Sequence, residues 1–296
     1  MPDTSRSVIR TAAVQFDMRR VASAEEFETR CLSFIDMAAT GGADFVIFPE
    51  LLTQAVLSAA EETLPPQKAL EALDAYTQRW CDFLQNAATT RKIHIIGGSH
   101  LCREENGDLK NRCFIALEDG TLAMQDKLHP TPNEARHWQV KGGDTLKTVT
   151  TPQAEIGVLV CYDSEFPEAA RHLTDQGMEI LFVPFCTDDR QGYGRVRFCT
   201  QARTVENQCY AVAAGTVGLT ENVDNCDIHY AESCILTPCD TEFPPDGIAA
   251  IAPPAAETVI FADLDLDALR RVRKNGTVQN LSDRRTDLYS IHWHGA

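Results

Sequence analysis

Two rhythms of apolar residues alternate along the chain. Ile9 to Phe16 is an unbroken β-type run. Ala24 to Thr40 then places Phe27, Cys31, Phe34, Ile35 and Ala38 at helical spacing before Gly41-Gly42, a pair suited to a helix C-terminus. Asp44 to Phe48 predicts the next strand, ending at Pro49-Glu50. A second helix is expected over roughly Pro66 to Thr90, with Leu70, Leu73, Trp80, Phe83, Leu84 and Ala87 inward, and a strand over Ile93 to Ile96 that stops at Gly97-Gly98. Arg112 to Leu117 and Thr121 to Lys127 flank Glu118-Asp119-Gly120; an Asp-Gly pair between strand-like runs predicts a hairpin with Lys127 at its far end.

The alternation continues. Ile156 to Val160 is a dense strand that delivers Cys161-Tyr162-Asp163 to a helix over Glu165 to Gln176, closed by Gly177. Ile180 to Val183 reads as a strand ending at Pro184, Phe198 to Asn207 as a helix, Tyr210 to Thr216 and Val259 to Ala262 as strands, and Leu264 to Val272 as a helix. Thr237 to Ala256, rich in Pro, Gly and Asp, reads as loop with short strands. This is the pattern of a layered α/β fold. Residues 42–49 and 177–184 follow one pattern, and Ile9 to Asp17 echoes Ile156 to Asp163. Two halves related by a pseudo-twofold would account for both echoes, as would chance. No long Gly/Ser-rich, Pro-rich or single-sign linker interrupts the 296 residues, so residues 1–296 are expected to form a single domain.

Charge narrows the function classes. A net charge of -16 repels phosphate backbones, and no basic stripe offsets it, which argues against a nucleic-acid partner. The densest basic stretch, Arg270, Arg271, Arg273 and Lys274, follows Asp263, Asp265 and Asp267 in the order that suits a helix dipole. Met1 to Thr11 lacks the apolar core of a signal peptide and no window suits a membrane span, so a cytoplasmic protein without a membrane partner is expected. The eleven cysteines are scattered and odd in number, which suggests reduced thiols. No Cys-x-x-Cys or His-x-x-x-His motif occurs, and no metal or cofactor is expected.

Glu50, Lys127 and Cys161 each fall at or just past the end of a predicted strand, where layered α/β proteins bind ligands. Taken singly, each has a plain alternative: a cap, a solvated hairpin end, a small buried hydrophobe. Cys161 stands at a sharp strand-to-helix turn. Proximity to a helix N-terminus lowers a thiol pKa, and the N–H of Tyr162 is placed to face an oxyanion. A thiol nucleophile needs a base, for which His129 and His172 are poor but open candidates.

Three segments, in order, resemble the nitrilase superfamily of carbon-nitrogen hydrolases: Phe45-Val46-Ile47-Phe48-Pro49-Glu50, Asp126-Lys127-Leu128-His129, and Val160-Cys161-Tyr162-Asp163-Ser164-Glu165-Phe166-Pro167-Glu168. Residues 203–208 and 285–289 extend the resemblance over nearly the whole chain. It implies a four-layer α-β-β-α sandwich with internal pseudo-twofold symmetry. It also implies a metal-independent mechanism in which Cys161 attacks, Glu50 serves as base and Lys127 stabilises the oxyanion. Glu134, in the proline-bearing stretch 130–138, matches the family's second glutamate. The segment after Pro184 lines the substrate pocket in the family, which brings in Asp188, Asp189 and Tyr193. The two acids could meet a cationic group or simply pair with Arg190, Arg195 and Arg197. The substrate implied is a small amide or N-carbamoyl compound; nitrile hydrolysis by the same residues and a non-catalytic scaffold are the rivals. A homodimer or larger oligomer, with the tail from about residue 275 to 296 at its interface, is also implied.

Overall fold

The computed structural model describes residues 7–226 and 228–294. The first six residues of the stretch read for a leader, and the last two of the tail, lie outside them. In chain order the first half comprises β1 (Val8–Asp17), α1 (Ala24–Thr40), β2 (Phe45–Ile47), α2 (Pro66–Arg91), β3 (His94–Arg103), β4 (Leu109–Ala116) and β5 (Leu122–Asp126). The second comprises β6 (Val149–Thr150), β7 (Glu155–Val158), α3 (Pro167–Asp175), β8 (Ile180–Phe185), α4 (Arg190–Asn207), β9 (Tyr210–Leu219), β10 (Ile228–His229), β11 (Cys234–Leu236) and β12 (Ile248–Ile251). β13 (Thr258–Asp265) and α5 (Leu266–Asn275) follow.

One sheet runs β5-β4-β3-β2-β1-β13 and the other β12-β11-β9-β8-β7-β6; they join where Phe16 and Asp17 of β1 pair with Thr216 and Val217 of β9. The two halves repeat one plan. β1, β2 and β3 are parallel and β4 antiparallel; β7, β8 and β9 are parallel and β11 antiparallel. The sequence echoes fall on β2 with β8 and on β1 with β7, so they mark the pseudo-twofold of a four-layer α-β-β-α sandwich.

β2 and β8 are apolar throughout because both their faces are buried. Phe45 and Ile47 point at the other sheet, where the Phe45 and Phe182 rings meet at 5.5 Å. Val46 and Phe48 point the other way, into a core with Phe27, Ile35 and Trp80 of α1 and α2. The five α1 residues expected inward are all buried, Ser23 caps the helix by accepting from the Glu26 N–H, and Gly42 supplies a left-handed φ of 73° just past its end.

Three expectations are corrected. β3 does not stop at Gly97-Gly98; it continues to Arg103 through an irregularity in its pairing with β4. Gly98, at φ 68°, allows this: a Cβ there would collide with the Pro49 carbonyl, so the glycine is a close-approach site beside Glu50 rather than a strand end. α4 begins at Arg190 rather than Phe198, because Asp189 caps it by accepting the Gly192 N–H at 2.7 Å, a contact that outweighs the low helix propensity of Gly192 and Gly194. The helix after Cys161 starts only at Pro167; residues Cys161–Glu165 form a separate 3₁₀ turn. α5 keeps its expected charge order, with Asp265 at the cap and Arg270 paired to Glu179. No helix among the described residues is long and apolar enough to cross a membrane. All eleven cysteines are free thiols.

Candidate active site

The ends of β2, β5, β7 and β8 converge at one end of the sandwich. β2 leads through Pro49 to Glu50, which is only 2% exposed. β5 ends at Asp126, and the next residue, Lys127, keeps one more ladder bond through its N–H to the Asn111 carbonyl at 2.8 Å. Its ammonium is 1% exposed and sits between two carboxylates, 2.8 Å from Glu50 Oε1 and 2.6 Å from Glu134 Oε2. Glu134 opens a single π-type turn (Glu134–Trp138) and accepts the Thr131 N–H at 2.7 Å.

β7 delivers Cys161 in a left-handed conformation, φ 49°, at the start of the 3₁₀ turn. A non-glycine residue held there stores backbone strain, as nucleophile-bearing turns commonly do. The thiol donates to the Cys186 carbonyl at 3.8 Å. Tyr162 lines the same cavity, which has a volume of about 470 Å³ and also reaches Glu50, Lys127, Glu134, Asp188 and Asp189.

Several neighbours that hold this cluster went unassigned in the sequence. Asn111 Nδ2 donates to Glu50 Oε1 at 2.9 Å and to Glu134 Oε1 at 2.7 Å. The Cys186 N–H donates to Glu50 Oε2 at 2.9 Å. Asp163, 1% exposed, accepts the N–H groups of Leu128, His129 and Val160 and so ties the lysine segment to the cysteine turn. Asn111 stands between Lys110 and Arg112, just before the expected Arg112 to Leu117 strand, and only the acid two residues past the cysteine offered a signal; the partners of both are distant in sequence.

Electrostatics separates the groups. Burial pushes the Glu50 carboxyl up to about 7; Lys127 pulls it down, while Glu134 and Cys186 add to the rise. Burial also opposes the charge of Lys127, yet Glu50 and Glu134 together hold its pKa well above the usual lysine value. For Glu134 burial is likewise the largest influence, but Lys127 and its hydrogen bonds outweigh it and keep the group low. The Cys161 thiol is pushed well up by burial, and the charge of Glu50 adds to the rise. This corrects the expectation of a thiol acidified by a helix N-terminus: the thiol is buried, its helix begins six residues later, and a carboxylate faces it. Such a thiol must lose its proton to a base during attack.

The remaining candidates divide. Asp189 is occupied in capping α4, although it still borders the cavity beside Asp188. Tyr193 is not among the lining residues; its ring packs against Phe185 and Tyr230. Arg195 borders the cavity and lies 3.7 Å from Glu165. His129 bonds Asp163 and stacks on Phe166, and His172 stacks on Trp293, so neither stands at the thiol.

Comparison with known proteins gives the family. Residues 10–274 match the family described as Carbon-nitrogen hydrolase. The chain belongs to that carbon-nitrogen hydrolase family. This hydrolase is 43% identical over 285 residues to the probable hydrolase YhcX of Bacillus subtilis, covering 96% of the chain. It spans only 55% of that relative's length. It is 27% identical over 293 residues to the omega-amidase NIT2 of Mus musculus, covering 96% of this chain and 98% of that one. Its fold matches Saccharomyces cerevisiae Nit3, a member of branch 10 of the nitrilase superfamily, with a TM-score of 0.75 at 21% identity over 94% of this chain and 97% of that one.

Proposed function

We propose that this carbon-nitrogen hydrolase cleaves the C–N bond of a small, non-peptide amide or N-carbamoyl compound through a thioester on Cys161. The observation that carries the reading is the buried Glu50, Lys127 and Glu134 cluster opening on the same cavity as the Cys161 thiol. Glu50, with a pKa near 7, is matched to take the thiol proton as sulfur attacks and to return it to the departing amine or ammonia. Lys127, kept charged by its two carboxylates, and the Tyr162 N–H stabilise the tetrahedral oxyanion. Glu134 and Asn111 position Lys127 and Glu50. Water activated by Glu50 then cleaves the thioester and restores the thiol.

Amide is favoured over nitrile because the full-length relatives carry the name omega-amidase. Asp188 at the rim suits a substrate with a cationic group, and the tail supports assembly, since Leu288, Tyr289 and Ile291 are exposed for packing on a second copy. The test is release of ammonia or amine from a panel of small amides, carbamoyl compounds and nitriles. Turnover of amides by the wild type and none by Cys161→Ala is expected; equal rates in both would overturn the reading.

A further inference from the structure

Beside the catalytic cluster, and outside the roles given above, lie two more thiols and an imidazole. Cys186 follows β8, Cys226 lies in the loop before β10, and His229 is in β10. One donor atom of each falls within 4.8 Å of the other two. No linear zinc motif announces the group, because Cys186 is far in sequence from the Cys226-x-x-His229 pair.

From this juxtaposition of Cys186, Cys226 and His229 we infer a binding site for a thiolate-preferring divalent cation of the zinc class, open on the catalytic cavity.

The imidazole is set for ligation. His229 Nε2 lies 3.0 Å from the Cys226 carbonyl, which can only accept, so Nε2 carries the proton. Nδ1 faces Cys186 Sγ at 3.4 Å, so as the neutral ring it presents its lone pair toward the sulfur. A ligating histidine characteristically donates its other N–H to a carbonyl in this way. Thr220 Oγ1, 3.1 Å from Nε2, fixes the ring further, while Thr216 Oγ1, 3.0 Å from Nδ1, donates to that lone pair without the cation and must turn its hydroxyl away when one binds.

The backbone around the donors is pre-ordered. Tyr230, after His229, donates its N–H to the Thr187 carbonyl at 2.8 Å and receives the Thr187 hydroxyl at 2.7 Å, which locks the residues next to Cys186 and His229 together. β10 also pairs with β9, His229 opposite Gly218. Cys226 and His229 are buried and Cys186 is half-buried, which shields the donors from bulk water.

Two sulfurs and one nitrogen select a borderline-soft cation over magnesium or calcium. Three protein ligands leave a fourth tetrahedral position for water or a cavity molecule. Cys186 and Cys226 border the cavity that holds Cys161, so that position faces the catalytic space. Binding exchanges the two thiol protons for the cation and involves no change of oxidation state.

The full chain, stripped with chelator and kept reduced, is titrated with Co²⁺ alone. One equivalent with a thiolate-to-cobalt charge-transfer band is expected, bleached by Zn²⁺. X-ray absorption of the zinc-loaded wild type should show two sulfurs at about 2.3 Å and one nitrogen at about 2.0–2.1 Å. Cys226→Ser and His229→Gln should bind at least about tenfold more weakly, and Cys161→Ala as tightly as wild type. Absence of the band, a first shell of oxygen and nitrogen only, or loss of binding in Cys161→Ala with retention in Cys226→Ser would overturn the site. Since the readout is binding, its failure would leave the hydrolytic reading standing, and inactivity on every amide would leave the metal site standing.

Discussion

The N–H of Cys186 donates to Oε2 of Glu50 at 2.9 Å, so the end of β8 in one sheet holds the carboxylate that β2 supplies from the other. The opposite oxygen, Oε1, takes Lys127 and Asn111. Every direction around this carboxylate that the protein fills is filled by a donor.

Glu50→Gln therefore fails twice. The amide has no basic oxygen to take the thiol proton, and its NH₂ must face one of these donors. Loss of the base alone should lower kcat/KM by about 10²–10⁴-fold. A steady-state assay beside a thermal melt separates this from unfolding; a variant within a few-fold of wild type would remove Glu50 from the mechanism.

The pH profile follows from the same residue. Burial raises Glu50 to about 7, and the base must be ionised to act, so activity is present above that value and is lost as pH falls through it. An acid limb of kcat/KM near pH 7 is expected in chelator-containing buffer. Its pKa belongs to the coupled cluster rather than to one carboxyl. An acid limb near the ordinary glutamate value of about 4.3 would contradict it.

Lys127→Met removes the ammonium between two buried carboxylates. Breaking such a pair costs about 3–5 kcal/mol of stability, and loss of an oxyanion donor costs about 10²–10³-fold in kcat. The sign of the pH effect is specific. Without Lys127 both carboxyls are raised above their unfolded values, so the variant is relatively spared below the unfolded carboxyl pKa and loses stability as pH rises through the raised values. Denaturant melts at pH 5 and pH 8 test this; a smaller deficit at pH 8 would contradict it.

Much of the sandwich was legible because helical spacing and dense strand runs report burial directly. α1 was readable residue by residue, down to Gly41-Gly42, since its inward face meets a single core. The parts that were not legible depend on contacts between distant segments. Gly97-Gly98 carries the ordinary signal of a strand end, and only the nearby Pro49 carbonyl turns it into a passage within β3. The start of α4 hangs on the Asp189 cap. Glu50, Lys127 and Cys161 could be placed at strand ends, but Asn111, Asp163 and Cys186 act through partners on other elements. The raised Cys161 thiol required knowing that the sulfur is buried and that Glu50 faces it.

Gly98→Ala tests the close approach. The left-handed φ alone costs a side chain about 1–2 kcal/mol, and the collision with the Pro49 carbonyl adds to it. Because that carbonyl precedes Glu50, stability and activity should fall together. A variant with wild-type melting would show that the backbone here yields easily.

The most direct test of the central claim is peptide-mapped mass spectrometry of the protein quenched in acid during turnover of an amide substrate. An acyl group of the substrate's mass on Cys161, absent from Cys161→Ala and accumulating when deacylation is slowed, is the expected result. An adduct confined to another residue, or turnover without a covalent intermediate under conditions that trap thioesters, would contradict it.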